Sequence, residues 1–357
     1  MMQSVGNFLK KAGKLFLYLL LAFILVTVGV LIWVRIEPEA VTECEAGFRL
    51  ISHADGSDCV SDSASRVLAI SPTASQFYVA IDHPLAMMTD TIDTFTAADI
   101  PGLYEKLRDV NEGVLDLGNV QGGLAPNFEL LFEIQPDVIV TEWPVGDFSK
   151  PAEVIAPVIV FNTADSWQSK MLGSAEVIGE RETAVALIAD YEARLQILRD
   201  QFDDPAEISI SIVRLYPDRT AVNLADSFAG QIITDVGFSL PEGQVEAAKD
   251  SPEQIELVLS EERVDLLDGD FLFLYGGFPE STLVNNLETS SGELVDAFTN
   301  EPIYQFLDAV ETGNVYEVDV YWSVTGIYSA HYVLDDLFRH VAGVDPEAVS
   351  PNPLRLE

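Results

Sequence analysis

The chain has little positive charge. Its 357 residues include 19 Lys and Arg against 58 Asp and Glu, which gives a formal net charge of −39. A surface this acidic repels both the phosphate backbone of nucleic acids and anionic lipid headgroups. We therefore exclude DNA- and RNA-binding roles. The hydrophobic share of 48% is still large enough for two domain cores at this length.

Cysteine is also scarce, because Cys44 and Cys59 are the only two in the sequence. In an oxidising compartment a disulfide between them is the expected state. A metal site is the alternative, since His53 lies between the two cysteines. Two thiols and one histidine leave a closed tetrahedral site one ligand short, and this favours the disulfide.

The motifs of common enzymes and of free-metal receptors are missing as well. The sequence has no G-x-S-x-G elbow, no P-loop and no H-E-x-x-H pair. Its four histidines have no spacing typical of a zinc or manganese site. They are His53, His83, His331 and His340. We expect a binding protein with no catalytic residue, no bound metal and no cofactor.

One long apolar run lies near the N-terminus, at residues 15–34. About 20 such residues are long enough to span a bilayer as a helix. Lys10, Lys11 and Lys14 precede the run, which places residues 1–14 in the cytoplasm and the rest outside. The prediction is an uncleaved transmembrane anchor. A cleaved signal peptide is the alternative, although the run is longer than a usual signal and no clear small-x-small cleavage site follows it.

The rest of the chain alternates short β-branched runs with helical patterns, which is typical of a parallel α/β layer. Residues 180–202 follow the helical period without interruption. The prediction is an α/β fold with two Rossmann-like lobes joined by this one long helix. The expected organisation is a cytoplasmic N-terminus (1–14), a transmembrane anchor (15–34), an extracytoplasmic linker with the Cys44–Cys59 disulfide (35–65), an N-terminal lobe (66–179), the connecting helix (180–202), a C-terminal lobe (203–345) and a tail (346–357).

An ordered set of segments resembles the iron–siderophore-binding proteins of ABC transporters. The segments are RVLAISPTAS, APNFELLFEIQPDVIV, IAPVIVF, GERETAVALIADYEARL, DSFAGQIITDVG, SPEQIELV, GNVYEVDVYW and YSAHYVLDDLF. The likeness covers about residues 44–341. It implies a monomeric, extracytoplasmic receptor that captures a ferric siderophore between its lobes and delivers it to an ABC permease dimer. Cobalamin or haem as cargo, or a surface interaction protein that has lost transport, are the alternatives.

The resemblance also implies roles for individual charged residues. Glu129, in PNFE, and Glu253, in SPEQ, match the two glutamates that dock into basic pockets on the permease. Glu253 would begin a helix running from Pro252 to about Leu259. The alternative for each glutamate is a solvated residue at a helix start, favoured by the helix dipole. Arg214 matches an arginine that faces the iron chelate, and its alternative is pairing with a surface acid.

Aromatic residues complete the predicted ligand site. Trp322 matches a position that lines the cleft in the family, and Trp143 directly follows a predicted strand at 138–140. Tyr216 and Tyr275 are further candidates at strand ends. Large rigid rings suit a bulky organic chelate, and ordinary packing is the alternative for each of them.

The chemistry of the cargo depends on the basic residues near it. The matched cleft positions supply one clear arginine, Arg214, whereas anionic catecholates usually need several basic groups. This favours a hydroxamate or mixed-ligand siderophore. Arg66 and Arg219 leave the choice open, because surface loops can bring further basic residues to a cleft.

Overall fold

The structure is a computed structural model of the chain. It describes residues 41–86, 99–110, 128–142, 149–162, 165–249, 254–260, 263–276 and 291–356. The chain divides into two compact units, Met1–Thr42 and Glu43–Glu357, and all of the described helices and strands lie in the second. The predicted anchor at 15–34 lies outside the described residues. Among the residues described, no helix has both the length and the apolar character needed to cross a membrane.

The described strands form three sheets. They are β1 (Phe48–His53), β2 (Gly56–Ser61), β3 (Val67–Ile70), β4 (Val138–Thr141), β5 (Val158–Val160), β6 (Ile210–Leu215), β7 (Thr220–Asn223), β8 (Glu256–Val258), β9 (Phe271–Gly276) and β10 (Val315–Glu317). Strands β1 and β2 form a two-stranded antiparallel hairpin. Of the two larger sheets, we call the one with the order β3-β4-β5 the first sheet and the one with the order β10-β9-β6-β7-β8 the second sheet. The first sheet is parallel, whereas β7 runs antiparallel to both of its neighbours.

Helices connect and cover these sheets. They are α1 (Pro72–Ala80), α2 (Leu103–Val110), α3 (Phe128–Ile134), α4 (Ser149–Ala152), α5 (Trp167–Ile178), α6 (Arg181–Arg199), α7 (Phe228–Val236), α8 (Glu242–Ala248), α9 (Ser291–Asn300), α10 (Asp308–Thr312), α11 (Ile327–Asp336) and α12 (Pro346–Val349). Short 3₁₀ turns lie at Pro205–Glu207, Val264–Leu267, Pro302–Tyr304 and Val320–Trp322, and a π-helical turn, Leu337–Val341, extends α11. The predicted α/β class is confirmed, and the division into two lobes stays a prediction.

The first sheet is buried and covered at both of its edges. All residues of β3, β4 and β5 are buried, as expected for a parallel sheet packed on two faces. Along β5, the amide of Ala54 in the hairpin turn donates to the carbonyl of Val160 at 2.8 Å. Along β3, the amide of Ala86 donates to the carbonyl of Val67 at 2.8 Å. A segment of the same chain therefore hydrogen-bonds to each edge strand.

The region predicted as a linker contains the ordered β1–β2 hairpin. Its disulfide joins Cys44 to Cys59, so the disulfide prediction is confirmed and the metal alternative falls away. Arg49 of β1 pairs with Asp62 at 3.0 Å and donates to the carbonyl of Glu176 on α5 at 3.2 Å. The hairpin therefore packs as part of the globular unit.

The long predicted helix is present as α6. It begins after Gly179, which adopts the left-handed conformation that ends α5. Arg194 on its buried side pairs with Asp335 of α11 and donates to the carbonyl of Ser350 at 2.8 Å. The helix is thus tied both to the last long helix and to the C-terminal segment.

The second sheet separates two apolar cores. Ile212 and Phe273 face the large core that also contains the first sheet, and Val213 and Leu272 face a smaller core on the other side. The prediction of a helix over residues 252–259 is wrong in its C-terminal part, because Glu256–Val258 is strand β8. Its pairing with β7, a contact remote in sequence, overrides the local helical pattern.

Candidate functional site

Three of the predicted ligand residues meet at the carboxyl end of the second sheet. Strands β6 and β9 are parallel, and their register places Arg214 beside Tyr275 one residue before each strand ends. The guanidinium carbon of Arg214 lies 4.5 Å from the centroid of the Tyr216 ring and 6.0 Å from that of Tyr275. Both distances are within the range of cation–π attraction. Two aromatic rings therefore hold the arginine in place.

A carboxylate that the sequence analysis did not single out completes this group. Glu256 of β8 lies with its Oε2 atom 3.6 Å from Nη1 of Arg214. The hydroxyl of Tyr216 donates to the same carboxylate at 3.0 Å. Pairing with an acid, the alternative considered for Arg214, is thus observed. We refer to Arg214, Tyr216, Glu256 and Tyr275 as the Arg214 cluster.

The tyrosines of the Arg214 cluster are neutral hydrogen-bonding groups. Burial raises the pKa of Tyr275 to about 12, and its hydroxyl lies 2.9 Å from the Asn223 amide nitrogen and 3.1 Å from the Asn223 amide oxygen. Burial also raises the pKa of Tyr216. Both phenols keep their protons at neutral pH, so the charges of the cluster come from Arg214 and Glu256.

A second polar group lies at the carboxyl end of the first sheet. Glu142 directly follows β4, and its carboxylate accepts hydrogen bonds from the Ser71 hydroxyl at 2.5 Å and the Thr73 amide at 3.1 Å. The Thr325 hydroxyl donates to it at 3.3 Å, and Lys170 of α5 pairs with it at 3.0 Å. We call these five residues the Glu142 cluster.

The Glu142–Lys170 pair is sealed from solvent, with both side chains 4% exposed. Lys170 shares the buried side of α5 with Trp167, Met171 and Ser174. A buried ion pair is tolerated when further hydrogen bonds satisfy both charges, and the Ser, Thr and amide donors do this for the carboxylate. Lys170 on a mostly apolar helix face is the signal in the sequence from which this pair could have been predicted.

A three-residue segment joins the two clusters. The Ser323 side chain lies close enough to Tyr275 of the Arg214 cluster to lower the pKa of its hydroxyl, against the larger rise caused by burial. Two residues later, the Thr325 hydroxyl donates to Glu142, and the Thr325 carbonyl accepts from the Thr73 hydroxyl at 3.5 Å. The carboxyl ends of both sheets therefore approach the same segment. In α/β sheets this is the edge at which ligands bind.

Trp322 does not line an open cleft in this structure. Its side chain is fully buried, its ring stacks on Phe273 at 4.5 Å between centroids, and its Nε1 donates to Asp336 at 2.9 Å. These contacts are those of a core residue. Arg66 precedes β3 and donates to the carbonyl of Ile134 at 2.8 Å, so it lies at the amino end of the sheet, away from both clusters.

Of the three remaining predicted site residues, the structure describes only Glu129. Glu129 is exposed in the first turn of α3. Trp143 and Glu253 lie outside the described residues. Within the described ranges no group of three or more His, Cys, Asp or Glu side chains is arranged to hold a metal ion.

Comparison with known proteins gives consistent matches. A family model described as periplasmic binding protein matches residues 97–321, more than half of the chain. A probable siderophore-binding lipoprotein of Bacillus subtilis, YfiY, is 28% identical over 66% of this chain and 71% of its own length. The ferric enterobactin-binding periplasmic protein FepB of Escherichia coli is 26% identical over 81% of this chain and 89% of its own.

Solved structures show the same fold. Staphylococcus aureus SirA, complexed with staphyloferrin B, superposes with a TM-score of 0.68 at 19% identity, covering 82% of this chain and 98% of that one. Bacillus subtilis FeuA, complexed with ferri-bacillibactin, gives a TM-score of 0.64 at 16% identity, covering 83% and 98%. At these identities the superpositions establish the fold alone.

Proposed function

This chain belongs to the periplasmic binding protein family, and on that premise we propose that it captures a ferric siderophore and delivers it to an ABC permease for iron uptake. The family resemblance inferred from the sequence is confirmed. The observation that carries the proposal is that two relatives matched over most of their own length are described as siderophore-binding proteins. We propose that the chain is a binding protein and not an enzyme, and its family supports this.

The ligand site in this proposal lies between the carboxyl ends of the two sheets. Arg214 donates to the chelating oxygens, and Tyr216 and Tyr275 supply ring surface and hydroxyls. Trp143, directly after β4 and Glu142, contributes from the first sheet. Trp322 contributes indirectly, because its ring stacks on Phe273 of β9 and does not itself contact the ligand. The carboxyl ends of both sheets lie near residues 323–325, and this supports the proposed location of the ligand site.

We also propose the domain organisation and the cellular location of the protein. Residues 66–179 and 203–345 form two lobes on either side of α6, and the globular part is extracytoplasmic and held at the membrane by residues 15–34. The lipoprotein and periplasmic descriptions of the two relatives support an extracytoplasmic location. We propose that the protein acts as a monomer without a cofactor, its ligand being the iron complex itself.

Capture is tested by fluorescence titration of the full-length protein in detergent, since its tryptophans include Trp167 and Trp322 in the buried core. Ferric siderophores should quench the emission saturably. The same siderophores without iron are the control and should leave it unchanged. Unchanged emission with every ferric chelate would overturn the proposal. Quenching by haem or cobalamin alone would show that one of these is the ligand instead.

Permease docking is proposed for Glu129 and Glu253. The exposure of Glu129 at the start of α3 supports this role, because paired carboxylates on one surface give both register and faster encounter with basic pockets. Glu129→Arg should reduce iron uptake at least about tenfold while ligand affinity stays unchanged. Glu133→Arg, on the same helix and also exposed, is the matched control. Normal uptake by the Glu129 variant would show that the docking assignment is wrong.

A further inference from the structure

The Arg214 cluster carries no net charge, because the Arg214 guanidinium and the Glu256 carboxylate offset one another. The side chains are 12% and 23% exposed, so the carboxylate is as accessible as the guanidinium beside it. A ligand that reaches Arg214 therefore also meets Glu256. The protonated tyrosines add hydrogen-bonding groups to the cluster without adding charge.

The other cations around Tyr216 are offset in the same way. Arg219 lies 3.7 Å from the centroid of the Tyr216 ring and pairs with Asp218 at 3.1 Å. Arg263 borders a groove of about 470 Å³ that Tyr216 and Arg219 also line. It pairs with Asp265 at 3.0 Å. Each cation on this side of the site thus has a carboxylate next to it.

Lys170, the cation of the Glu142 cluster at the first sheet, is not available to a ligand either, because it is buried against Glu142. Beyond residue 40, the sequence outside the described ranges contains no Lys or Arg. These segments are 87–98, 111–127, 143–148, 163–164, 250–253, 261–262 and 277–290. In a chain of net charge −39, the field at such a site repels anions.

We propose that Glu256 makes this site selective for neutral or positively charged ferric complexes, of the tris-hydroxamate class, and against tris-catecholates. This inference rests on the proposed function and specifies its substrate. A ferric tris-catecholate is a trianion, whereas three hydroxamates balance the charge of Fe(III). Placing a trianion beside Glu256 costs Coulomb energy, and Arg214, already paired with Glu256, leaves the cluster no net positive charge to compensate for it. Hydrogen bonds from Arg214 to the chelating oxygens serve either class.

The test is the ratio of two dissociation constants in the full-length protein, one for ferrioxamine B and one for ferric enterobactin. The wild-type protein should bind ferrioxamine B more tightly. Glu256→Gln removes the charge and keeps the shape of the side chain. It should tighten ferric enterobactin about tenfold, equivalent to about 1.4 kcal/mol, and should not tighten ferrioxamine B, which has no negative charge for Glu256 to repel.

Glu246→Gln is the matched control. The same substitution there removes a carboxylate from an exposed ion pair with Lys249, and screening should leave both constants unchanged. An unchanged ratio in the Glu256 variant, or tighter binding of ferric enterobactin by the wild-type protein, overturns this inference while siderophore capture stands. Failure of the wild-type protein to bind either chelate removes the proposed function and this inference together. A ratio of constants does not depend on the folded fraction of a sample, so partial misfolding imitates neither outcome.

Discussion

The carboxyl ends of the two sheets hold ion pairs of different kinds. Glu142 and Lys170 are 3.0 Å apart and almost completely buried, and the carboxylate accepts further hydrogen bonds from Ser71, Thr73 and Thr325. The Arg214–Glu256 pair is longer, at 3.6 Å, and solvent reaches both side chains. The carboxyl ends of the two sheets thus hold one buried pair and one pair that solvent can reach. Exposure and hydrogen-bond saturation separate the two roles, because both pairs carry the same charges.

The comparison is tested most strongly by removing the cation of each pair. Lys170→Met leaves Glu142 charged and buried, so the free energy of unfolding should fall by about 3 to 5 kcal/mol. Arg214→Met is the matched variant. It should cost only about 1 kcal/mol, since solvent and the Tyr216 hydroxyl still reach Glu256. Urea unfolding followed by circular dichroism measures both values.

Equal losses in the two variants would remove the distinction between the pairs. A double variant sharpens it further. Glu142→Gln combined with Lys170→Met removes both buried charges, and it should be more stable than Lys170→Met alone.

A smaller effect is expected at a further buried group, Arg194 of α6 with His331 and Asp335 of α11. Nη1 of Arg194 donates to Nδ1 of His331 at 3.0 Å. Burial, and then the charge of Arg194, lower the pKa of His331 from 6.5 to about 3. As the pH falls below about 6.5, the unfolded chain takes up a proton at this residue that the folded protein does not. Stability is therefore lost between pH 6.5 and pH 3, by about 2 kcal/mol at pH 5.

His331→Gln removes this part of the pH dependence. Urea unfolding at pH 8 and pH 5 should show a smaller loss of stability in the variant than in the wild-type protein. His340→Gln is the control, at a half-buried histidine whose pKa burial also lowers, and it should have the smaller effect. Identical pH profiles for His331→Gln and the wild-type protein would contradict the assignment.

Local signals in the sequence were enough for much of the fold. Ser71 caps α1 and Pro72 occupies its first turn, so the boundary between β3 and α1 follows from neighbouring residues alone. The same holds for Gly179, which ends α5 in the left-handed conformation. Strand β8 could not be predicted in this way, because its conformation depends on pairing with β7.

The candidate site was only partly predictable, for a related reason. Tyr216 and Tyr275 were predicted as residues at strand ends, where ligands bind, and Arg214 was predicted from the family resemblance. Trp322 also lies near such an end, but its burial depends on Phe273 and on Asp336, which accepts from its indole nitrogen. Glu256 carries no signal in its own segment. It becomes part of the site only because β8 is a strand.

The hairpin contact along β5 has a consequence for how the protein behaves at high concentration. Strand β5 is short, apolar and β-branched, the composition that adds readily to a neighbouring sheet. The Ala54 amide occupies the Val160 carbonyl, and the hairpin that supplies this amide is closed by the Cys44–Cys59 bond. Reduction of the disulfide should therefore loosen the segment that covers this edge and favour association of molecules through β5.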